Sequence, residues 1–128
     1  MIELTFSKSI KADATLNALL SNKAFACTLP ENVTFPCVLV QSNHEDVEQA
    51  FAGLSGEFFA KVQVDVWASA PDKVSDLKKL LIPFLSDLKG ELYNTKILGV
   101  FDLSCRSINQ PNEHRITIEL NVHYEEIS

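Results

Sequence analysis

Glycine is scarce in this chain, and its four copies are scattered. They cannot form the glycine-rich loop that cradles phosphates. No serine stands in a G-x-S-x-G setting, which removes the strained strand-to-helix nucleophile elbow. Cysteine is as sparse. Cys27, Cys37 and Cys105 are odd in number and share no short spacing, so neither a disulfide framework nor a C-x-x-C zinc site is indicated. The expectation is three small, partly buried thiols. No apolar run approaches the roughly 20 residues of a membrane helix, and Met1–Thr5 lacks the basic start and apolar stretch of an export signal. The sequence therefore reads as a protein made and folded in a cytoplasm, with no membrane partner.

What is present is the composition of an ordinary folded domain. Of 128 residues, 46% are hydrophobic and 22% charged, enough for one core in one domain, 1–128. The formal net charge of −6 does not attract phosphate backbones, so non-specific nucleic-acid binding is disfavoured. DNA could pass such a surface without sticking to it.

Hydrophobic spacing predicts a short helix over Lys11–Asn22, with Ala12, Leu16, Leu19 and Leu20 on one face and a start at Ser9 or Asp13. A turn at Leu29–Asn32 precedes a strand, Cys37–Gln41, led in by Pro36. Ser42–Glu57 reads as a long hairpin connection, mobile in the free subunit; loops of that length are usually functional or disordered. Phe59–Ala68 alternates cleanly: Val62, Val64, Val66 and Ala68 face one way, Gln63, Asp65 and Trp67 the other. A helix over Asp72–Lys89 follows, with an apolar stripe of Val74, Leu77, Leu81, Phe84 and Leu88, an N-cap at Asp72, a stop at Gly90 and a kink or split at Pro83. Ile97–Ser107 is a strand whose phase changes near Gly99, the signature of a bulge. Arg115–Glu125 is the last strand, with Ile116, Ile118, Leu120, Val122 and Tyr124 inward. The order α-β-β-α-β-β predicts an α+β fold, an antiparallel four-stranded sheet with helices packed on one face.

Chemistry is hard to find on that frame. His44-Glu45-Asp46 reads as a solvated polar loop rather than a metal cluster. His114 and His123 are nine residues apart on one strand, hence on opposite faces. His123 and Glu125 share a face, but two ligands do not close a metal site. Cys105 with a distant His114 is conceivable across the hairpin, yet internal packing is the better reading of Cys105. No catalytic, metal-binding or cofactor-binding residue is assigned, no cofactor is implied, and the chain reads as a non-enzyme. The aromatic residues Phe51, Phe58, Phe59 and Trp67 cluster around the long hairpin. Trp67 either fills a satellite core or anchors a protein surface, where such residues are enriched.

Three segments, taken in order, carry a resemblance: "FPCVLVQ", "KVQVDVWASAPDKVSDLKKLL" and "HRITIELNVHYEE". In type and spacing they resemble the tail-completion or tail-terminator proteins of long-tailed bacteriophages and prophages, over most of the chain. The matching features are Pro36 before the first strand, Val62–Ala68, the helix from Val74 to Leu88, and a last strand opened by Arg115 and closed by Tyr124. The helix departs from the pattern at Pro83. The resemblance implies a small subunit without catalytic residues. It implies a hexameric ring at the head-proximal end of the tail tube, ending tube polymerisation and offering a docking surface to head-completion or neck proteins. DNA would cross its channel without specific binding, and the protein would reside in the virion tail after synthesis in the bacterial host cytoplasm.

On this reading the interface candidates are Phe51, Leu54, Phe58, Gln63, Asp65, Trp67, Lys73, Asp76 and Arg115, and Glu45, Asp46, Glu48, Glu113, Glu119 and Glu125 are candidates to line the channel. A neck or head–tail joining subunit of similar fold is the nearest alternative. A small ligand-binding or catalytic α+β domain is the alternative from another class.

Overall fold

The computed structural model describes residues 1–43, 57–111 and 113–126. The element order is α1 (Ile2–Ala12), α2 (Ala14–Leu20), β1 (Ala24–Ala26), β2 (Cys37–Asn43), β3 (Glu57–Ala68), α3 (Pro71–Ser86), β4 (Gly90–Leu92), β5 (Thr95–Gln110) and β6 (Glu113–Glu126). The expected four-stranded antiparallel sheet is not what forms. The strands make one six-stranded mixed sheet in the order β1-β2-β3-β6-β5-β4, with β1 parallel to β2 and every other pair antiparallel. The two additional strands are three residues each, too short to show a period. β4 joins β5 through a two-residue turn, Tyr93-Asn94, with both residues at positive φ. That is the primed-turn backbone that matches strand twist.

The N-terminal helical region also differs from expectation. It begins at Ile2, and Asp13 takes an extended conformation (φ −77°, ψ 119°) that divides it into α1 and α2. Ile2, Phe6 and Ile10 recur every four residues and are all buried, whereas Ala12 and Leu19 of the expected face are exposed. In α3, Pro71 occupies the first turn, where its missing N–H costs nothing, and Asp72 lies one residue inside rather than at the cap. The helix runs on through Pro83 as one element. Pro83 is exposed, so the carbonyl it leaves unpaired on its own side of the helix can be hydrated.

One core lies between the helices and the inner face of the sheet. It joins Phe6, Ile10, Leu16 and Leu20 to Val74, Leu77, Leu81 and Leu85, and both sets to Val62, Val64, Val66, Ile116, Ile118, Leu120 and Val122. A second, smaller cluster sits on the opposite face, where Cys37, Leu39 and Trp67 pack under Phe25, Leu29 and Val33. The sheet therefore has one face packed against the helices and one covered at a single end. Leu81 is completely buried in the main core. Leu81→Ala is expected to cost about 2–5 kcal/mol by transfer and cavity terms together. Urea denaturation would check this, and a loss below about 1 kcal/mol would contradict the packing described.

Candidate interaction surfaces

The outer face of the sheet is built by the period-two alternation of β3 and β6. Their register sets Glu57 opposite Glu125, Phe59 opposite His123, Lys61 opposite Asn121, Gln63 opposite Glu119, Asp65 opposite Thr117 and Trp67 opposite Arg115. Near the centre, Asp65 is 3% exposed. It accepts hydrogen bonds from Thr117 Oγ1 at 2.6 Å and Gln63 Nε2 at 2.9 Å, which satisfies a carboxylate that would otherwise be costly to bury. A polar groove of about 420 Å³ lies alongside, lined by Gln41, Ser42, Lys61, Gln63 and Glu119. Arg106 reaches Glu119 at 3.4 Å, an exposed pair of small energetic weight.

At the covered end, Trp67 donates its indole N–H to Glu113 at 2.7 Å, and the Arg115 guanidinium stands 5.6 Å from the centre of the Trp67 ring. At the other end the face is aromatic and open. Phe59 stacks on His123 with centroids 4.3 Å apart, and His123 Nε2 is 3.5 Å from Glu57. Gly99 lies opposite His123 and leaves space above it, and Phe101 follows opposite Asn121. Phe59 and Phe101 are 43% and 44% exposed, which makes this a surface and not a core. On the helical side a groove of about 320 Å³ is lined by Ser9, Ala12, Asp13, Phe84, Leu88, Leu92 and Tyr93. Lys8 is held over the Tyr93 ring at 5.7 Å.

The residues expected at an interface do not form one patch. Gln63 flanks the polar groove, but Asp65 and Trp67 are buried and spent on internal contacts. Phe58 packs against the core and stacks on Tyr124 at 5.5 Å. Lys73 and Asp76 are exposed on α3, beside Leu19, Pro36 and Leu77, and Arg115 is half-buried beside Trp67. Of the acids expected in a channel, Glu113, Glu119 and Glu125 share the outer face of β6, the first two already paired with Trp67 and Arg106. Phe51, Leu54, Glu45, Asp46, Glu48 and His44 lie outside the described residues, as does most of the expected 42–57 loop. Phe101 and the helix-side groove were missed: the groove becomes visible only once α1 is recognised, from the Ile2, Phe6, Ile10 spacing.

The geometry gives little to reaction chemistry. Cys105 pairs with Ile118, four residues along the strand from His114, so thiol and imidazole are not neighbours. His114 instead sits 3.2 Å from Asn109 Oδ1. Among the described residues no group of three histidine, cysteine or acidic side chains could hold a metal ion, and no helix is long and apolar enough to cross a membrane. Burial pushes the Cys37 thiol up to about 11, with Lys23 acting weakly in the opposite sense. Burial, helped by Glu126 and Glu3, pushes the Tyr124 phenol up to about 12. Burial and then Glu3 raise the Cys27 thiol, which lies 3.6 Å from the Glu3 carboxylate. None of these groups is an activated nucleophile.

No protein-family model matches the sequence, and no curated protein matches it. Among solved structures the chain is similar to one from the virion of a native gene transfer agent particle, with a TM-score of 0.69 at 17% identity. The likeness covers 97% of this chain and 94% of that one, so the two share a fold from end to end.

Two outcomes follow from the buried groups. Thr117→Val removes the hydroxyl that bonds Asp65 and should cost about 1–3 kcal/mol, more than an exposed Thr→Val change on the same strand; equal losses in denaturation would contradict the bond's role. Folded Cys37 and Tyr124 bind their protons more tightly than the unfolded chain, whose values lie near 9.0 and 10.0. The unfolded state therefore releases protons first, so stability is fully present below about pH 8 and declines as pH rises through 9–12. Cys37→Ala should flatten the first part of that decline in melting curves taken across pH.

Proposed function

We propose that this chain is a structural subunit of a phage-type virion. It closes as a hexameric ring on the head-proximal end of a tail tube, ends tube polymerisation, and offers the surface on which head-completion or neck proteins dock. The observation that carries the reading is the end-to-end fold likeness to a chain of a gene transfer agent virion. The motifs "KVQVDVWASAPDKVSDLKKLL" and "HRITIELNVHYEE" support the narrower tail-terminator assignment. The net charge of −6 supports a channel that lets DNA slide rather than bind. A neck or joining subunit is the second reading, favoured by the same likeness.

A non-enzymatic role is the reading that the likeness to a virion chain supports.

Light scattering across concentration and salt tests the ring, and a pull-down with purified tail tubes tests its place. The expected result is a monomer–hexamer equilibrium and retention of the protein at tube ends. A compact dimer insensitive to concentration, with no binding to tubes, would overturn the reading.

A further inference from the structure

β5 has a neighbour on only one side for most of its length. β6 pairs with it throughout, but β4 closes the other side only at Thr95, Lys96 and Ile97. From Leu98 to Gln110 no strand among the described residues lies along that side, and no residue of the run is buried. The hydrogen-bond phase of the sheet decides which groups are left open. Val38 donates its N–H to Lys23 and Val40 accepts from Cys27, so both turn toward β1. Along a strand, successive residues turn their N–H and C=O to opposite sides. The register carries this phase from Val38 through Val66 and Ile116 to Ser107, which therefore turns its N–H and C=O away from β6. Cys105 and Asn109 share the phase of Ser107. The backbone groups of all three meet no strand among the described residues.

We infer that the Ser104–Gln110 edge of β5 is a strand-addition site: an extended segment of a different virion protein pairs with it and becomes the next strand of the sheet. An edge specifies its occupant more narrowly than an apolar patch does, because main-chain donors and acceptors at strand spacing are matched by another strand. The run is about 20 Å long and holds no proline. The irregularity between Phe101 and Ser104 ends it on one side and the connection to β6 on the other. Its side chains set the chemistry of the added strand. Leu103 and Cys105 are half-buried at the margin of the main core, so an apolar residue on the inner row of the new strand continues that core. On the outer row the Arg106 side chain is 69% exposed and calls for a carboxylate beside the one it reaches on Glu119. The choice between a second copy and a different protein rests on the assembly reading above. Two β5 edges that pair make an isologous contact, which closes at a dimer. A head-to-tail ring needs a second, different edge on the same chain, and β1 and β4 are three residues each. The ring therefore leaves the β5 edge to another protein.

The test uses the full chain labelled for NMR and, as probe, the peptide acetyl-Thr-Val-Glu-Val-Thr-Val-Thr-amide. A twin methylated on every backbone nitrogen keeps the side chains and removes the donors. The peptide should slow hydrogen exchange at Cys105, Ser107 and Asn109 and leave Phe59 and His123 unchanged. The twin should bind at least about ten-fold more weakly. Ser107→Pro, which removes an N–H that no ladder bond uses, should weaken the peptide likewise, an unchanged melting curve establishing that the variant is folded. Absence of binding, equal binding of the twin, or protection on another face would overturn the site and leave the ring reading standing. Protection of the same three amides that rises with protein concentration alone would make a second copy the occupant and overturn the assignment to a different protein. Peptide bound at this edge by a chain that stays monomeric and misses tail tubes would uphold the site and overturn the ring.

Discussion

The rest of this structure hangs on the antiparallel ladder between β3 and β6, paired without interruption from Glu57–Glu125 to Ala68–His114. Each strand sends alternate residues to opposite faces, so this single pairing creates both surfaces at once. Inward it lays down valine, isoleucine and leucine rows that α1, α2 and α3 cover. Outward it lays down the Asp65–Thr117 pair, the Trp67–Arg115 contact and the open Phe59–His123 stack. β2 extends the ladder on one side and β5 on the other, and the short strands β1 and β4 close the edges.

That ladder was legible because both strands are long and strictly alternating. Val62-Val64-Val66 and Ile116-Ile118-Leu120-Val122 declare their buried face without any tertiary information. The stripe of α3 was legible for the same reason, at the helical period. The bulges of β5 were half legible. Gly99 marked the first, but the second, between Phe101 and Ser104, turns on Asp102 adopting φ 54°, which an aspartate tolerates without announcing. β1 was not legible at all. Three residues, Ala24–Ala26, join the sheet because β2 presents a free edge, and the parallel pairing is a long-range fact. The break at Asp13 is of the same type, a local conformation selected by how α1 and α2 pack.

The surfaces were less legible than the fold. Sequence alternation placed Gln63, Asp65 and Trp67 together on the polar side of β3, and register keeps them there. Alternation cannot say what covers that side. The segment after β1 brings Leu29 and Val33 over Cys37, Leu39 and Trp67, turning half of a nominally wet face into a small core. Exposure at the other end falls to Phe59, which stacks on His123, and to Phe101, two residues along β5 from Gly99. An aromatic residue's role thus depended on its distance from a loop that crosses the face.

The buried carboxylate answers a problem the apolar face leaves open. A slip of one residue between β3 and β6 would turn valines to solvent and is excluded by burial alone. A slip of two residues would not. The inner rows are so uniform in β-branched side chains that Val64 opposite Leu120 or Ile116 would bury nearly the same surface as Val64 opposite Ile118. On the outer face the same slip is expensive. In the direction that sets Asp65 beside Glu119, it takes away the Thr117 hydroxyl at 2.6 Å, adds a like charge and moves Trp67 off the carboxylate of Glu113. A buried carboxylate stripped of its donor costs several kcal/mol, well beyond what the apolar rows can tell apart. The inner face thus supplies most of the stability, and the polar contacts of the outer face select which of several near-equivalent registers is native.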